Sequence, residues 1–229
     1  MDTSPTVKLR IGLFVTCLVD VFRPVIGFAA VKLLEEAGCT VAVPAAQTCC
    51  GQPAYNSGDR ANAQVLARQV IAVFEDFDYV VVPSGSCGGM IKQHYPSLLA
   101  HDPAWKSRAE RFSAKTFELV SFLTDVLGVE RVNATYANTV TYHDACSGLR
   151  ELQIKQQPRQ LLAKMKGVTL TEMDESEECC GFGGAFAAKF GEAVRAVVCQ
   201  MEEDHHLPLA ADHVQRSLDR AVVVCCHRF

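Results

Sequence analysis

Two Cys-Cys-Gly triplets, Cys49-Cys50-Gly51 and Cys179-Cys180-Gly181, stand in a chain that carries eleven cysteines among its 229 residues. Each follows a single cysteine at nearly the same distance: 31 residues separate Cys17 from Cys49, and 32 separate Cys146 from Cys179. Thiolates are soft ligands that select iron–sulfur clusters, zinc or Cu(I) over hard cations. An iron–sulfur cluster takes about four of them, converging from different directions. Adjacent cysteines in a turn present two sulfurs to one site. Gly51 behind them allows a positive φ and a close backbone approach to a bulky inorganic core, and Gly88-Gly89 and Gly183-Gly184 read the same way. Cys17, Cys49, Cys50 and Cys87 together make one four-thiolate set.

Other residues weigh less. Structural zinc usually shows two short Cys-x-x-Cys knuckles; the chain has none, and zinc stays as the alternative metal. Cys39 and Cys199 stand alone and read as buried structural cysteines, since free Cys is among the most buried residue types. His143, three residues before Cys146, is placed to ligate, to tune a cluster by hydrogen bonding or to relay a proton, and reads equally as a plain loop histidine. His205-His206 reads as a solvated helix end, and Asp174 to Glu178 as a solvated acidic turn.

The cysteines need elements to carry them. Val7 to Val15 is a continuous apolar run, the mark of a buried parallel strand, and Cys17 follows it. Pro24 opens a helix whose apolar face is Val31, Leu33, Leu34 and Ala37, and Gly38 closes it. Cys39 to Pro44 reads as a second strand, Ser57 to Phe77 as a helix, and Asp78 to Pro83 as a third strand, with Cys87 just past its end. A stretch of helical periodicity runs from Pro103 to Leu127. The plan then repeats: a strand over Thr139 to Tyr142, Cys146, a helix over Leu149 to Lys166, a strand over Val168 to Met173, the second triplet, and a helix to about Glu203. A recurring order of this kind is a structural repeat. Alternating strands and helices imply an α/β fold with parallel sheets, the chemistry sitting in loops at strand C-termini. The resulting division is 7–100 for the first repeat, 101–137 for a helical linking region and 138–229 for the second.

A formal charge of −4 and a pI near 6.0 provide no basic footprint for nucleic acid. No run approaches the roughly 20 apolar residues of a bilayer helix. Lys8-Leu9-Arg10 before Ile11 to Val19 imitates a signal peptide, but Asp20 interrupts the run and no small-residue cleavage site follows; the segment reads as the first strand. An odd number of cysteines in a chain this long points away from a disulfide framework and toward a reducing, cytoplasmic setting. Gly181-Phe182-Gly183-Gly184 lacks the spacing of a dinucleotide loop.

Phe14-Val-Thr-Cys-Leu-Val-Asp20, Cys49-Cys-Gly-Gln-Pro-Ala-Tyr-Asn-Ser-Gly58, Pro83-Ser-Gly-Ser-Cys87 and Cys179-Cys-Gly-Phe-Gly-Gly184 resemble the cysteine-rich CCG-domain family. Within it the likeness is strongest to the branch of iron–sulfur proteins of L-lactate utilisation complexes. That branch is related to the iron–sulfur component of glycolate oxidase and to the CCG-containing component of heterodisulfide reductase. The resemblance runs from residue 7 to about residue 200. It implies two similar parallel-sheet CCG halves in a pseudo-twofold arrangement. It further implies [4Fe-4S] clusters and an electron-transfer role beside other iron–sulfur proteins in a cytoplasmic complex oxidising L-lactate to pyruvate. Two alternatives stay open: a heterodisulfide-reductase-like thiol/disulfide redox protein, and a zinc-stabilised assembly module. The family pattern ends Cys-x-x-Cys, whereas Met90 stands three residues after Cys87, leaving four thiolates in the first set. In the second set Cys146, Cys179 and Cys180 have no family-type closing cysteine near Ser217. Either Cys225 or Cys226 supplies the fourth ligand after the strand-like Val222 to Val224, or the tail is altered, as a reading-frame change leaves it.

Overall fold

The computed structural model describes residues 8–174, 176–178 and the backbone of 222–225. Two compact units divide between Val129 and Glu130. In the first, strands β1 (Arg10–Leu13), β2 (Thr40–Ala42), β3 (Tyr79–Val82) and β4 (Thr116–Glu118) form one sheet in the order β2-β1-β3-β4, every pair parallel. Parallel strands need crossovers, and these are helical: α1 (Cys17–Phe22) and α2 (Pro24–Glu36) lead to β2, and α3 (Gln52–Asn56) and α4 (Arg60–Phe74) lead to β3. Helix α5 (Gly85–Gly89) runs through a π-helical turn, Met90–His94, into α6 (Tyr95–Leu98). The wider turn suits Pro96, which has no N–H to offer an α-helical bond. Helix α7 (Pro103–Ala114) then precedes β4. Short α8 (Leu119–Ser121) and a second π-helical turn, Phe122–Val126, close the unit.

Both faces of this sheet are covered. Val80 and Val82 face one core with Phe74, Met90 and Phe112, while Val81 faces the other with Ile11, Leu13, Leu34 and Phe122; all are fully buried. That is why the strands read as unbroken apolar runs rather than alternating ones. Gly12 is required where it stands: a Cβ there would lie 2.7 Å from the Phe74 ring and 2.8 Å from that of Phe77. Cys39 is buried in the second core, just before β2.

Several boundaries differ from expectation. Pro24 does open α2 and Gly38, at φ 91°, follows its end, but the expected helix from Ser57 begins at Arg60. Gly58 at φ 85° breaks the chain, and the Asp59 carboxylate accepts from Asn62 N–H as the cap. The segment of helical periodicity contains β4, a strand of three residues paired to β3. Helix α5 was also unexpected.

Glu118, the last residue of β4, accepts from Val120 N–H at 2.8 Å and Ser121 N–H at 3.1 Å and so heads α8. Its burial pushes the carboxyl up from 4.5 to about 7, against the lowering effect of those amide bonds. Below pH 4.5 the folded and unfolded chains both hold this proton. As pH rises to 7 the unfolded chain releases it first, so this group costs the fold on the order of 2–3 kcal/mol by neutral pH. Glu118→Gln keeps an oxygen for both amides, and urea denaturation of the variant is expected to lose that decline between pH 4.5 and 7. A decline of equal size in wild type and variant would refute the assignment.

The second unit repeats the first on a smaller scale. Strands β5 (Thr139–His143), β6 (Thr169–Leu170) and β7 (Val222–Cys225) are parallel in the order β6-β5-β7, the order of β2-β1-β3. The expected helix from Leu149 to Lys166 is split into a π-helical turn, Ser147–Glu151, and α9 (Gln156–Ala163), separated at Gln153 with φ 57°. The strand expected over Val168 to Met173 narrows to β6. No helix among the described residues is long and apolar enough to cross a membrane.

Candidate functional site

A sheet ordered β2-β1-β3-β4 has its switch point between β1 and β3. The chain leaves β1 toward one side and β3 toward the other, opening a crevice at the strands' C-terminal ends. Cys17 follows β1 and begins α1; Cys49 and Cys50 follow β2; Cys87 lies in α5, just past β3. Fold topology therefore delivers all four to one edge.

There they touch in a row. Cys17 Sγ lies 3.9 Å from Cys49 Sγ, the Cys49 thiol is hydrogen-bonded to Cys50, and Cys50 Sγ lies 3.3 Å from Cys87 Sγ. None of the four is in a disulfide. Burial grades along the row: Cys17 is exposed, Cys49 half-buried, and Cys50 and Cys87 are 2% and 8% exposed. Among the described residues no three His, Cys, Asp or Glu side chains surround a single point as a lone metal ion requires.

Each position has a local cause. Thr16 caps α1 by accepting from Val19 N–H, which orients the first turn holding Cys17. Gly51 adopts φ 83° as the residue before α3, and its N–H points to Cys49 Sγ at 3.5 Å. A side chain there would be strained. The pair Gly88-Gly89 behaves differently from expectation: both are buried in helical conformation within or beside α5 and do not take positive φ. Gly183-Gly184 lies outside the described residues.

Cys17, Cys49 and Cys50 are all held back from ionising. The hydrogen bond Cys49 gives to Cys50 and then burial push its pKa far above the ordinary 9.0. Cys50 is lowered by that same bond, but its contact with Cys87 and its burial outweigh it, and it too is strongly raised. Burial raises Cys17, with Cys49 adding to it. Such thiols are poor free nucleophiles.

Sequence reading missed the supports. Tyr95, fully buried and stacked on Phe112, donates from its hydroxyl to the Cys50 carbonyl at 2.9 Å. Gln47 accepts from Val15 N–H at 2.8 Å, tying the loop before Cys49 to the end of β1, and Gln52 donates to the Ser86 carbonyl beside Cys87. Only Gln47 and Gln52 carried a signal, as neighbours of the triplet; Tyr95 is 45 residues from its partner.

In the second unit, half-buried Cys146 precedes the π-helical turn. His143 is no exposed loop residue: it ends β5, is 2% exposed, and donates from Nε2 to the Glu178 carbonyl at 2.9 Å. Asp144 N–H donates to the Ser176 carbonyl, and Lys155 pairs with Glu177. The backbone of Ser176 and Glu178 is thus tied down while Asp174, Glu177 and Glu178 are exposed, where a merely solvated turn was expected. Cys179, Cys180, Cys199, Cys226 and His205-His206 lie outside the described residues. The β7 register places Cys225 opposite His143. Val140 stands six residues before Cys146 as Ile11 does before Cys17, and these two pair with Val222 and Tyr79. Counted from there, Cys225 holds the place of Val82, five residues short of the place of Cys87.

The family model for the cysteine-rich domain designated CCG matches this chain twice, over residues 11–92 and 140–212. Among similar proteins is lactate utilization protein A of Geobacillus kaustophilus, 49% identical over 183 residues, which cover 80% of this chain and 76% of that one. The protein of the same name from Geobacillus thermodenitrificans is 45% identical over 206 residues, 90% and 85% of the two chains. That of Bacillus subtilis is 44% identical over 195 residues, 85% and 82%.

Proposed function

The chain belongs to the cysteine-rich CCG domain family, and from that premise we propose that it is the iron–sulfur electron-transfer component of a complex oxidising L-lactate to pyruvate. The observation that carries the reading is the row of four cysteine sulfurs at the switch point, each in contact with the next. This all-thiol donor set fits a sulfur-ligated iron centre. Cys17, Cys49, Cys50 and Cys87 would hold it. When bound, a [4Fe-4S] cluster supplies one-electron chemistry at a potential set by its surroundings. The chain's own residues set those surroundings: Gly51 N–H aims at the Cys49 sulfur, Tyr95 fixes the Cys50 backbone, and Cys50 and Cys87 lie out of water. The counterpart set is Cys146, Cys179 and Cys180; its fourth ligand is Cys225 or Cys226, or is lost where the tail is altered. Lactate comes to this chain from the names of its relatives, and the partners are the other iron–sulfur proteins of such a complex, in the cytoplasm.

A thiol/disulfide reading has one observation behind it, the 3.3 Å approach of Cys50 to Cys87. Burial and strongly raised pKa oppose a thiolate nucleophile there. Anaerobic purification tests the main reading. The expected product is brown, with iron, acid-labile sulfide and an EPR signal on reduction. A folded, colourless, iron-free product after reconstitution would rule the reading out, and stoichiometric zinc in its place would establish the assembly module.

A further inference from the structure

Eight large apolar side chains are prominently exposed among the described residues, and six of them fall between Leu18 and Phe28. Scattered exposed apolar residues need no explanation, but a concentrated patch marks an interaction site. Helices α1 and α2 pack on each other and the sheet through buried Val19, Gly27 and Ala30, with Val19 Cγ1 3.7 Å from where a Gly27 Cβ would sit. Val21, Phe22, Val25 and Phe28 are left facing solvent at 64–75% exposure. At about 200 Å² per phenylalanine, Phe22 and Phe28 alone leave roughly 280 Å² of aromatic surface in water. Leu18, Val21, Val25 and Ile26 enlarge the patch to more than half of the ~800 Å² that one partner contributes to a standard interface.

Position and charge say what covers it. Cys17, the exposed member of the row, is the first residue of α1, and the patch starts at the next residue. Cys50 and Cys87 are buried, so Cys17 marks the edge from which electrons are most easily exchanged. Between Leu18 and Ala29 the only charges are Asp20 and Arg23, which cancel. We propose that the face of α1 and the first turns of α2 docks the redox partner of the cysteine centre. That partner is a protein with an apolar, nearly uncharged face and its own electron-carrying group close behind it. The proposal rests on reading the four thiols as an electron-carrying centre. In the exchange one electron leaves the partner's reduced group and is taken up at the cysteine centre; no bond forms or breaks. Apolar recognition of this kind is insensitive to salt, unlike charge-steered docking.

The test uses the full chain, purified anaerobically and checked for iron, as wild type, Phe22→Asp/Phe28→Asp and Val25→Ser/Phe28→Ser. The serine pair removes apolar area without adding charge. Each is used to capture protein from lactate-grown cells of the source organism. What wild type retains is identified, purified and assayed for a redox group. Its affinity is measured at low and high salt, and electron exchange is followed by stopped flow. Expected are an affinity about a hundredfold weaker for the aspartate pair, slower exchange in step with it, little salt dependence, and unchanged iron and EPR signal. Equal binding by all three chains, or retention of no redox protein by wild type, would overturn the proposal. So would a wild-type dimer in sedimentation that the variants split, which assigns the patch to a second copy. If wild type itself lacks iron, the electron-centre reading fails; if iron is present and the variants bind as wild type does, docking alone fails.

Discussion

Cys50→Ala is expected to abolish iron and sulfide binding at the first site, with loss of its EPR signal and of lactate-dependent reduction in a reconstituted complex. Cys50 is central to the row, in contact with both Cys49 and Cys87, and its loss leaves the remaining thiols in two separated groups. Cys17→Ala, at the exposed end, should instead give a centre that forms but is lost quickly in air. Cys39→Ala serves as the control: that thiol packs in the opposite core, and its removal should cost stability without changing iron content. Iron and sulfide per chain, measured on all three, decide the matter. A Cys50→Ala protein with full iron would show that the row does not hold the metal.

Arg159→Ala is expected to destabilise the second unit by about 3–5 kcal/mol, the cost of leaving a buried charge without its partner. The Asp144 carboxylate is completely buried, and the Arg159 guanidinium grips it with two bonds of 2.8 and 2.7 Å. The same group bonds Glu172 and sits 5.2 Å from the Tyr142 ring centre. Arg159→Lys should recover only part of the loss, because an ammonium cannot reproduce the planar fork. Pairing Arg159→Met with Asp144→Asn removes both charges and should be less damaging than Arg159→Ala alone. Urea denaturation followed by circular dichroism measures the series; a loss below about 1 kcal/mol for Arg159→Ala would mean that Asp144 finds water or another cation. Because Asp144 and His143 also bond the Ser176 and Glu178 carbonyls, the unfolding of this network releases residues 176–178 as well.

Local physics made much of this legible in advance. Buried parallel strands must be apolar on both faces, so β1 and β3 announced themselves, and Pro24 and Gly38 mark helix ends through their own backbone restrictions. Gly51 was readable for the same reason. Strand β4 was not, because three residues between two helices carry no period; it is a strand only by pairing with β3. Gly88 and Gly89 misled, since glycine permits unusual φ without demanding it, and here the helix following Ser84 absorbs them.

By itself, then, the sequence determined the chemistry on offer: thiols as donors, two triplets in matching settings, and strands to carry them. Which thiols meet was decided by tertiary structure. Strand order is a long-range property, and only the order β2-β1-β3-β4 opens a crevice where residues 17, 49, 50 and 87 come together. The Tyr95 bond to Cys50 and the register that sets Cys225 at the place of Val82 follow from the same cause. Hydrogen bonds between segments distant in the chain leave no periodic trace in either one.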